Sequence, residues 1–232
     1  MSPTYVPDGG FMAVTDGGPS ATRPREWYVW HFTHIDNLPE IVAAGGLRPA
    51  SAVAPTVDVA DPAVKARRRT QVVQPDSGYP GGSVVSDHVP FYFAAKSPML
   101  YVVSRGHQGY RGGTGPLIFL GMTLGDLVSS GLTWCASDRN AAAGLAQFSR
   151  DLDGLGTFVD FALLCQRQWN WTQDDPDRPT RRAAEILVLG ELPLNVVTAV
   201  VAKTDVTLAR AEALLTGVGG SRQYWSIPSF YY

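Results

Sequence analysis

Apolar positions along the chain come in short bursts, separated by stretches rich in Gly, Pro and Ser. That rhythm predicts many short elements rather than a helical bundle. Residues 1–26 are rich in Gly, Pro, Ser and Thr and read as an irregular arm ahead of a single domain over 27–232. Trp27 to Thr33 is aromatic and β-branched and reads as a strand. Asn37 to Ala44 reads as a short helix, with Asp36 ahead of it and Gly45-Gly46 to end it. Ser51 to Thr56 reads as loop, and Pro62 to about Gln71 as helix. Pro75 to Ser83 has turn chemistry and is expected to be mobile. His88 to Phe93 is a strand whose Pro90 favours a sheet edge or a strand end.

The second half continues the pattern. Met99 to Val103 is a further element opened by Ser97-Pro98, and Arg105 to Gly115 is a glycine-rich loop. Leu117 to Met122 reads as a buried strand. Thr123 and Asp126 then open a helix to Ser130 with a capping-box spacing. Trp134 to Ala136 suits a short strand, Asn140 to Arg150 a helix, and Asp174 to Pro179 an exposed loop. Arg182 to Leu189 runs into an apolar strand, and Val196 to Ala202 is another. Thr204-Asp205 caps a helix to Leu215, and Gln223 to Tyr232 is strand-like. Strands and helices alternate in no regular βαβ order, which predicts an α+β fold.

Composition narrows the class. The chain has 232 residues, 45% hydrophobic and 17% charged, with 24 Gly and 17 Pro. That is enough for one domain with its own core. The two cysteines, Cys135 and Cys165, have no metal-ligand spacing and make no disulfide framework, so they read as reduced thiols. Met1 to Gly18 has no basic start and no apolar run, so no signal peptide is read there; no membrane span is expected, and the expected location is the cytoplasm. The net charge of −2 does not announce a nucleic-acid binder, but Lys65, Arg67, Arg68 and Arg69 form a local basic run.

Four groups of residues could carry chemistry. His31 and Thr33 share one face of their strand and could hold a polar ligand such as a ribose, or be a hydrogen-bonded structural pair. Glu185 stands at the mouth of an apolar strand, an awkward place for a carboxylate; it is either functional or paired with Arg181 or Arg182. Arginines 67–69 could fork onto phosphate. Phe91, Tyr92 and Phe93 with Met99 and Tyr101 could stack bases, or be core. Rossmann, P-loop, zincin and nucleophile-elbow motifs are absent.

Four segments together resemble DarT-type toxins: HFTHIDNLPEIVAAGGL (31–47), HVPFYFAAKSPMLY (88–101), TWCASDRNA (133–141) and RRAAEILV (181–188). The resemblance runs from Trp30 to the aromatic end and is nearest the mycobacterial, actinobacterial members. It implies the ADP-ribosyltransferase fold, two small twisted β-sheets flanked by helices with an NAD⁺ cleft between them. It implies transfer of ADP-ribose from NAD⁺, as substrate, to a base of single-stranded DNA, most often thymine, with no metal, and a DarG macrodomain antitoxin as partner. It also implies roles: Glu185 and Arg69 catalytic; His31, Phe32, Thr33, Asn37, Leu47, Arg48 and Arg69 on NAD⁺; Arg68, Tyr92, Met99 and Asn140 on DNA. Arg69 is the preferred alignment for the essential arginine, with Arg68 the alternative. The family often has histidine where this chain has Asn140, so a histidine role does not carry over. The alternatives are a same-fold transferase acting on guanine, RNA or protein, an NAD⁺ glycohydrolase, and a non-catalytic single-strand-binding module.

Overall fold

A computed structural model describes residues 3–15 and 17–232. In chain order the strands are β1 (Thr4–Val6), β2 (Phe11–Ala13), β3 (Tyr28–His34), β4 (Gly46–Leu47), β5 (His88–Tyr92), β6 (Leu117–Thr123), β7 (Trp134–Ser137), β8 (Phe148–Ser149), β9 (Glu185–Leu189), β10 (Leu192–Pro193), β11 (Ala199–Ala202) and β12 (Gln223–Ser226). The helices are α1 (Leu38–Ala44), α2 (Pro62–Arg68), α3 (Pro98–Arg105), α4 (Leu124–Ser129), α5 (Leu155–Phe158), α6 (Phe161–Leu164), α7 (Arg178–Arg182) and α8 (Asp205–Leu215). The caps follow side-chain chemistry: Asp61, Ser97 and Thr204 accept from the first-turn N–H groups of α2, α3 and α8. Thr123 and Asp126 form the expected capping box. Helix α1 ends at Gly45, whose φ of 80° is a left-handed conformation that costs glycine no Cβ clash.

Eight strands form one sheet in the order β12-β11-β6-β3-β5-β9-β7-β8, and its α+β character is as expected. The expected pair of small sheets is present as its two halves. Strands β3 and β6 share seven register positions and β5 and β9 share five, but β3 and β5 meet at one, Trp30 opposite Tyr92. Strand β5 is therefore central, which corrects the edge position expected from Pro90. The proline is tolerated because it lies where the two halves part. Its carbonyl faces β3 and accepts from His31 Nδ1 (2.9 Å), so its missing N–H falls on the side where no ladder runs.

Side chains alternate across the sheet. Val29, Phe91, Ile118, Leu120, Ile186 and Val200 pack on one face, and Tyr28, Trp30, Phe32, Phe119 and Val201 on the other. Both faces are thus buried, which is why the strands read as bursts rather than strict alternations.

Three further expectations change. The arm is not irregular: β1 and β2 form a hairpin, and Phe11, Met12 and Ala13 enter the core. Met1, Ser2 and Asp16 lie outside the described residues. The 140–150 stretch is turn followed by β8, not helix, because Asn140 Oδ1 accepts from Ala142 N (2.9 Å) and Asp138 Oδ1 from Gln147 N (2.9 Å), drawing the backbone into local turns. The 75–83 turn is anchored: Tyr79 is buried, and its hydroxyl bonds His88 Nε2 at 2.7 Å.

Candidate active site

Glu185 opens β9, between Tyr92 on β5 and Ser137 on β7 in the ladder. Its side chain is 1% exposed, and that of Arg68 is 12% exposed. Arg68 Nη1 donates to both carboxylate oxygens, at 2.9 and 3.1 Å, and Ala141 N donates to Oε1 at 3.3 Å. The ion pair expected with Arg181 or Arg182 does not form. Arg181 pairs with Asp160 and Asp175. Arg182 is buried and donates to the carbonyls of Gly9, Lys96, Leu163 and Leu164. Burial pushes its pKa down to about 10.

Beside this pair lies a cavity of about 500 Å³, a size suited to a nucleotide-like ligand. Its lining includes His31, Phe32, Thr33, Asn37, Leu47, Arg48, Arg68, Tyr92 and Met99, so nine of the site residues read from sequence converge on one space. Arg69 is not among them; it is the exposed C-cap residue of α2, so of the two candidate arginines the fold brings Arg68 to the cavity and not Arg69. Helical phase decides this. Val64 and Arg68, one turn apart, both face the cavity. Arg68 Nη2 is buried with no hydrogen-bond partner among the described residues, a donor left over for a ligand.

His31 has one accepting nitrogen. Nδ1 faces the Pro90 carbonyl, which can only accept, so Nδ1 carries the proton and Nε2 is the acceptor. Burial holds the His31 pKa below its ordinary value, and the Arg68 charge adds to this, so the ring is neutral at pH 7. Tyr92 lies nearly parallel to Phe32, with ring centroids 6.1 Å apart. Burial and the Glu185 charge both raise the pKa of its phenol.

Asn37 lines the cavity, but its amide is already occupied. Nδ2 donates to Thr33 Oγ1 (3.0 Å) and the Val57 carbonyl (2.9 Å), and Oδ1 accepts from Val57 N (2.7 Å). Its work is to hold the segment around Val57, which sequence reasoning took for plain loop and which forms a cavity wall through Val53, Pro55, Val57 and Val59. The repeated apolar residues in that stretch were the available signal. His88 also lines the cavity, as does Lys65, which the sequence placed in the basic run without assigning it to the site. Asn140 lies outside the lining, one residue before the Ala141 N–H that reaches Glu185. Among the described residues no His, Cys, Asp and Glu cluster could hold a metal ion, and no helix is long and apolar enough to cross a membrane.

The whole chain is 57% identical over 232 residues to a DNA ADP-ribosyl transferase of Mycobacterium tuberculosis (strain ATCC 25618 / H37Rv), covering all of both chains. A DNA ADP-ribosyl transferase of Thermus sp. (strain 2.9) is 34% identical over 174 residues, 74% of this chain and 79% of that one. Among solved structures, Thermus sp. 2.9 DarT in complex with ADP-ribosylated ssDNA superposes with a TM-score of 0.81 at 26% identity, covering 90% of this chain and 97% of that one. The same protein in complex with NAD⁺ gives 0.74 at 26% identity, covering 92% and 99%. Residues 30–232 match the family described as ssDNA thymidine ADP-ribosyltransferase, DarT, and the chain belongs to that family.

Proposed function

We propose that this chain transfers ADP-ribose from NAD⁺ to thymine in single-stranded DNA and releases nicotinamide, with Glu185 and Arg68 as the catalytic residues. The observation that carries this is the buried Glu185–Arg68 pair beside a cavity lined by His31 and Thr33, in a member of a family whose solved relatives are complexes with NAD⁺ and with ADP-ribosylated ssDNA.

NAD⁺ occupies the cavity. His31 Nε2 and Thr33 Oγ1 meet the hydroxyls of its nicotinamide-side ribose, and Phe32 and Tyr92 give flat faces to the nicotinamide. As the C1′–N bond to nicotinamide breaks, positive charge gathers on C1′ and the ring oxygen. The Glu185 carboxylate stabilises that charge, strongly because so little water reaches it. A thymine ring nitrogen then bonds to C1′, and its proton passes to the carboxylate. Arg68 releases one carboxylate oxygen to the ribose and turns its spare Nη2 to a thymine carbonyl, favouring the anionic base. The base must be unpaired to reach C1′, which accounts for the single strand. Met99 and the 140–141 turn lie on the DNA side. Arg48 and Leu47, which also line the cavity, take the adenosine side of NAD⁺. A DarG-type macrodomain that removes the modification is the partner, and the bacterial cytoplasm, where the DNA is, is the place of action.

The test offers the protein NAD⁺ with oligonucleotides that contain or lack thymine, alongside guanine-only DNA, RNA and protein. Mass spectrometry should find one added ADP-ribose on thymine-containing DNA. It should be lost in Glu185→Gln at unchanged fold. Label on another acceptor, or in the Glu185→Gln variant, would overturn the reading.

A further inference from the structure

The turn between β7 and β8 carries the most anomalous apolar side chain near the site. Leu145 is 79% exposed, at the tip of a loop over residues 138–147. An exposed leucine is unremarkable on a slack loop, but this one is braced throughout. Asp138 N donates to the Gln147 carbonyl (3.1 Å), and Gln147 N returns to Asp138 Oδ1 (2.9 Å), closing the neck. Ala143 N donates to the Asn140 carbonyl (2.8 Å) and Ala146 N to the Ala143 carbonyl (3.0 Å), shaping the tip. Arg139 pins the loop to α7 through Asp177 (2.6 Å), and Asn140 N pins it through the Thr180 carbonyl (2.9 Å). At its base, Ala141 N bonds the Glu185 carboxylate itself. Four residues separate that contact from Leu145, so the leucine lies within about 14 Å of it along the chain.

We infer that Leu145 is a DNA-positioning residue: it packs on the face of the base next to the nucleotide being modified and holds the strand splayed, so that the target base turns inward. This rests on the proposed action on single-stranded DNA. Three observations favour a base as occupant. The target base must come to Glu185, so its neighbour passes the loop that touches Glu185. Every base has an apolar face that a rigid aliphatic wedge can cover, whatever the sequence. The loop that presents the leucine is closed by its own hydrogen bonds and tied to Asp177 and Thr180. A protein partner would need a wider apolar area than one side chain, and the adjacent Gly144 and Gln147 are exposed without offering it.

The test measures ADP-ribosylation of a thymine-containing oligonucleotide by the full chain and by Leu145→Ser and Leu145→Phe. It is repeated on oligonucleotides abasic at the position before or after the target. Leu145→Ser should raise the KM for DNA at least fivefold and leave the KM for NAD⁺ and the melting temperature in place; Leu145→Phe should restore it. On the oligonucleotide abasic at the contacted position, the serine variant should lose nothing further. A KM for DNA that does not move, or an equal loss on every abasic substrate, would overturn the inference while the labelling by the unaltered chain upholds the function. No labelling by the unaltered chain would overturn both.

Discussion

Arg68→Ala, set against Arg69→Ala, tests the site at its most sensitive point. Losing Arg68 strips Glu185 of the side-chain donor that bonds both its oxygens and leaves a carboxylate, 1% exposed, with one long bond from Ala141 N. Removing one partner of a buried pair costs about 3–5 kcal/mol. The low end applies here, because Arg68 borders the cavity and its loss opens a path for water. At roughly 2–4 °C per kcal/mol for a chain of this size, about 3 kcal/mol lowers Tm by roughly 6–12 °C. Arg69 is exposed and bonds no carboxylate among the described residues, so Arg69→Ala should stay within about 0.5 kcal/mol. Calorimetry reads the Tm values, and nicotinamide release reads the chemistry. Arg68→Ala should lose transfer on the order of 10²-fold or more, as when one charge-stabilising donor is removed from an active site. Adding Glu185→Gln to Arg68→Ala should recover part of the Tm, because the unpaired charge is gone. Equal losses at 68 and 69 in both assays, or a larger loss at 69, would refute the assignment.

Other outcomes follow from the same geometry. Burial depresses the pKa of His31 and of His88 below their ordinary value, so the folded protein binds fewer protons there than the unfolded chain; stability should therefore fall as pH drops through about 6.5 and be fully present above it, in a Tm series from pH 5 to 8. Once the pH falls below the depressed pKa of His31, the protonated ring loses its accepting nitrogen, so the KM for NAD⁺ should rise on the acid side; no rise at any pH at which the protein stays folded and His31 is shown by NMR to be protonated would rule out the ribose contact. Asn37→Ala should raise the KM for NAD⁺ more than it lowers kcat, since it frees the Val57 wall rather than touching the reacting atoms; a pure kcat loss in steady-state kinetics would contradict this. Arg182→Met should cost about 3 kcal/mol or more by denaturant unfolding, because several buried carbonyls lose their donor at once; a shift under 1 kcal/mol would show that they find other partners. Gly121→Ala should destabilise by about 1–3 kcal/mol, because a Cβ there would fall 2.4 Å from the Trp30 ring; an unchanged urea midpoint would mean that the ring yields freely.

Much of the fold is legible in the sequence because its signals are local. Thr123 with Asp126, Ser97-Pro98 and Thr204 fix helix starts through bonds made within four residues, and the structure has all three. What misleads is also local chemistry overridden from a distance. Pro90 reads as an edge signal, and only the parting of β3 from β5 lets it sit at the centre. The alanine-rich run after Asn140 has helical composition, but Asn140 and Asp138 accept backbone protons that a helix would have used. For the site, residue types and order are legible, whereas the choice between Arg68 and Arg69 turns on one helical step of phase. Asn37 shows the other limit: its presence in the site is legible, but which partner its amide has found is a fact of tertiary structure.

The single rung between β3 and β5 gives the molecule a crease. Prising the sheet apart anywhere else, short of its β8 margin, means breaking a ladder of four to seven paired positions; along the crease it means breaking one, plus the His31 bond to Pro90. His31 stands on one side of this line and Glu185 on the other. The distance between His31 and Glu185, to which the proposed reaction gives the ribose and the chemistry, thus lies across the weakest seam among the longer ladders of the sheet. Among the interior strands, amide exchange should be fastest here, at Trp30 and Tyr92.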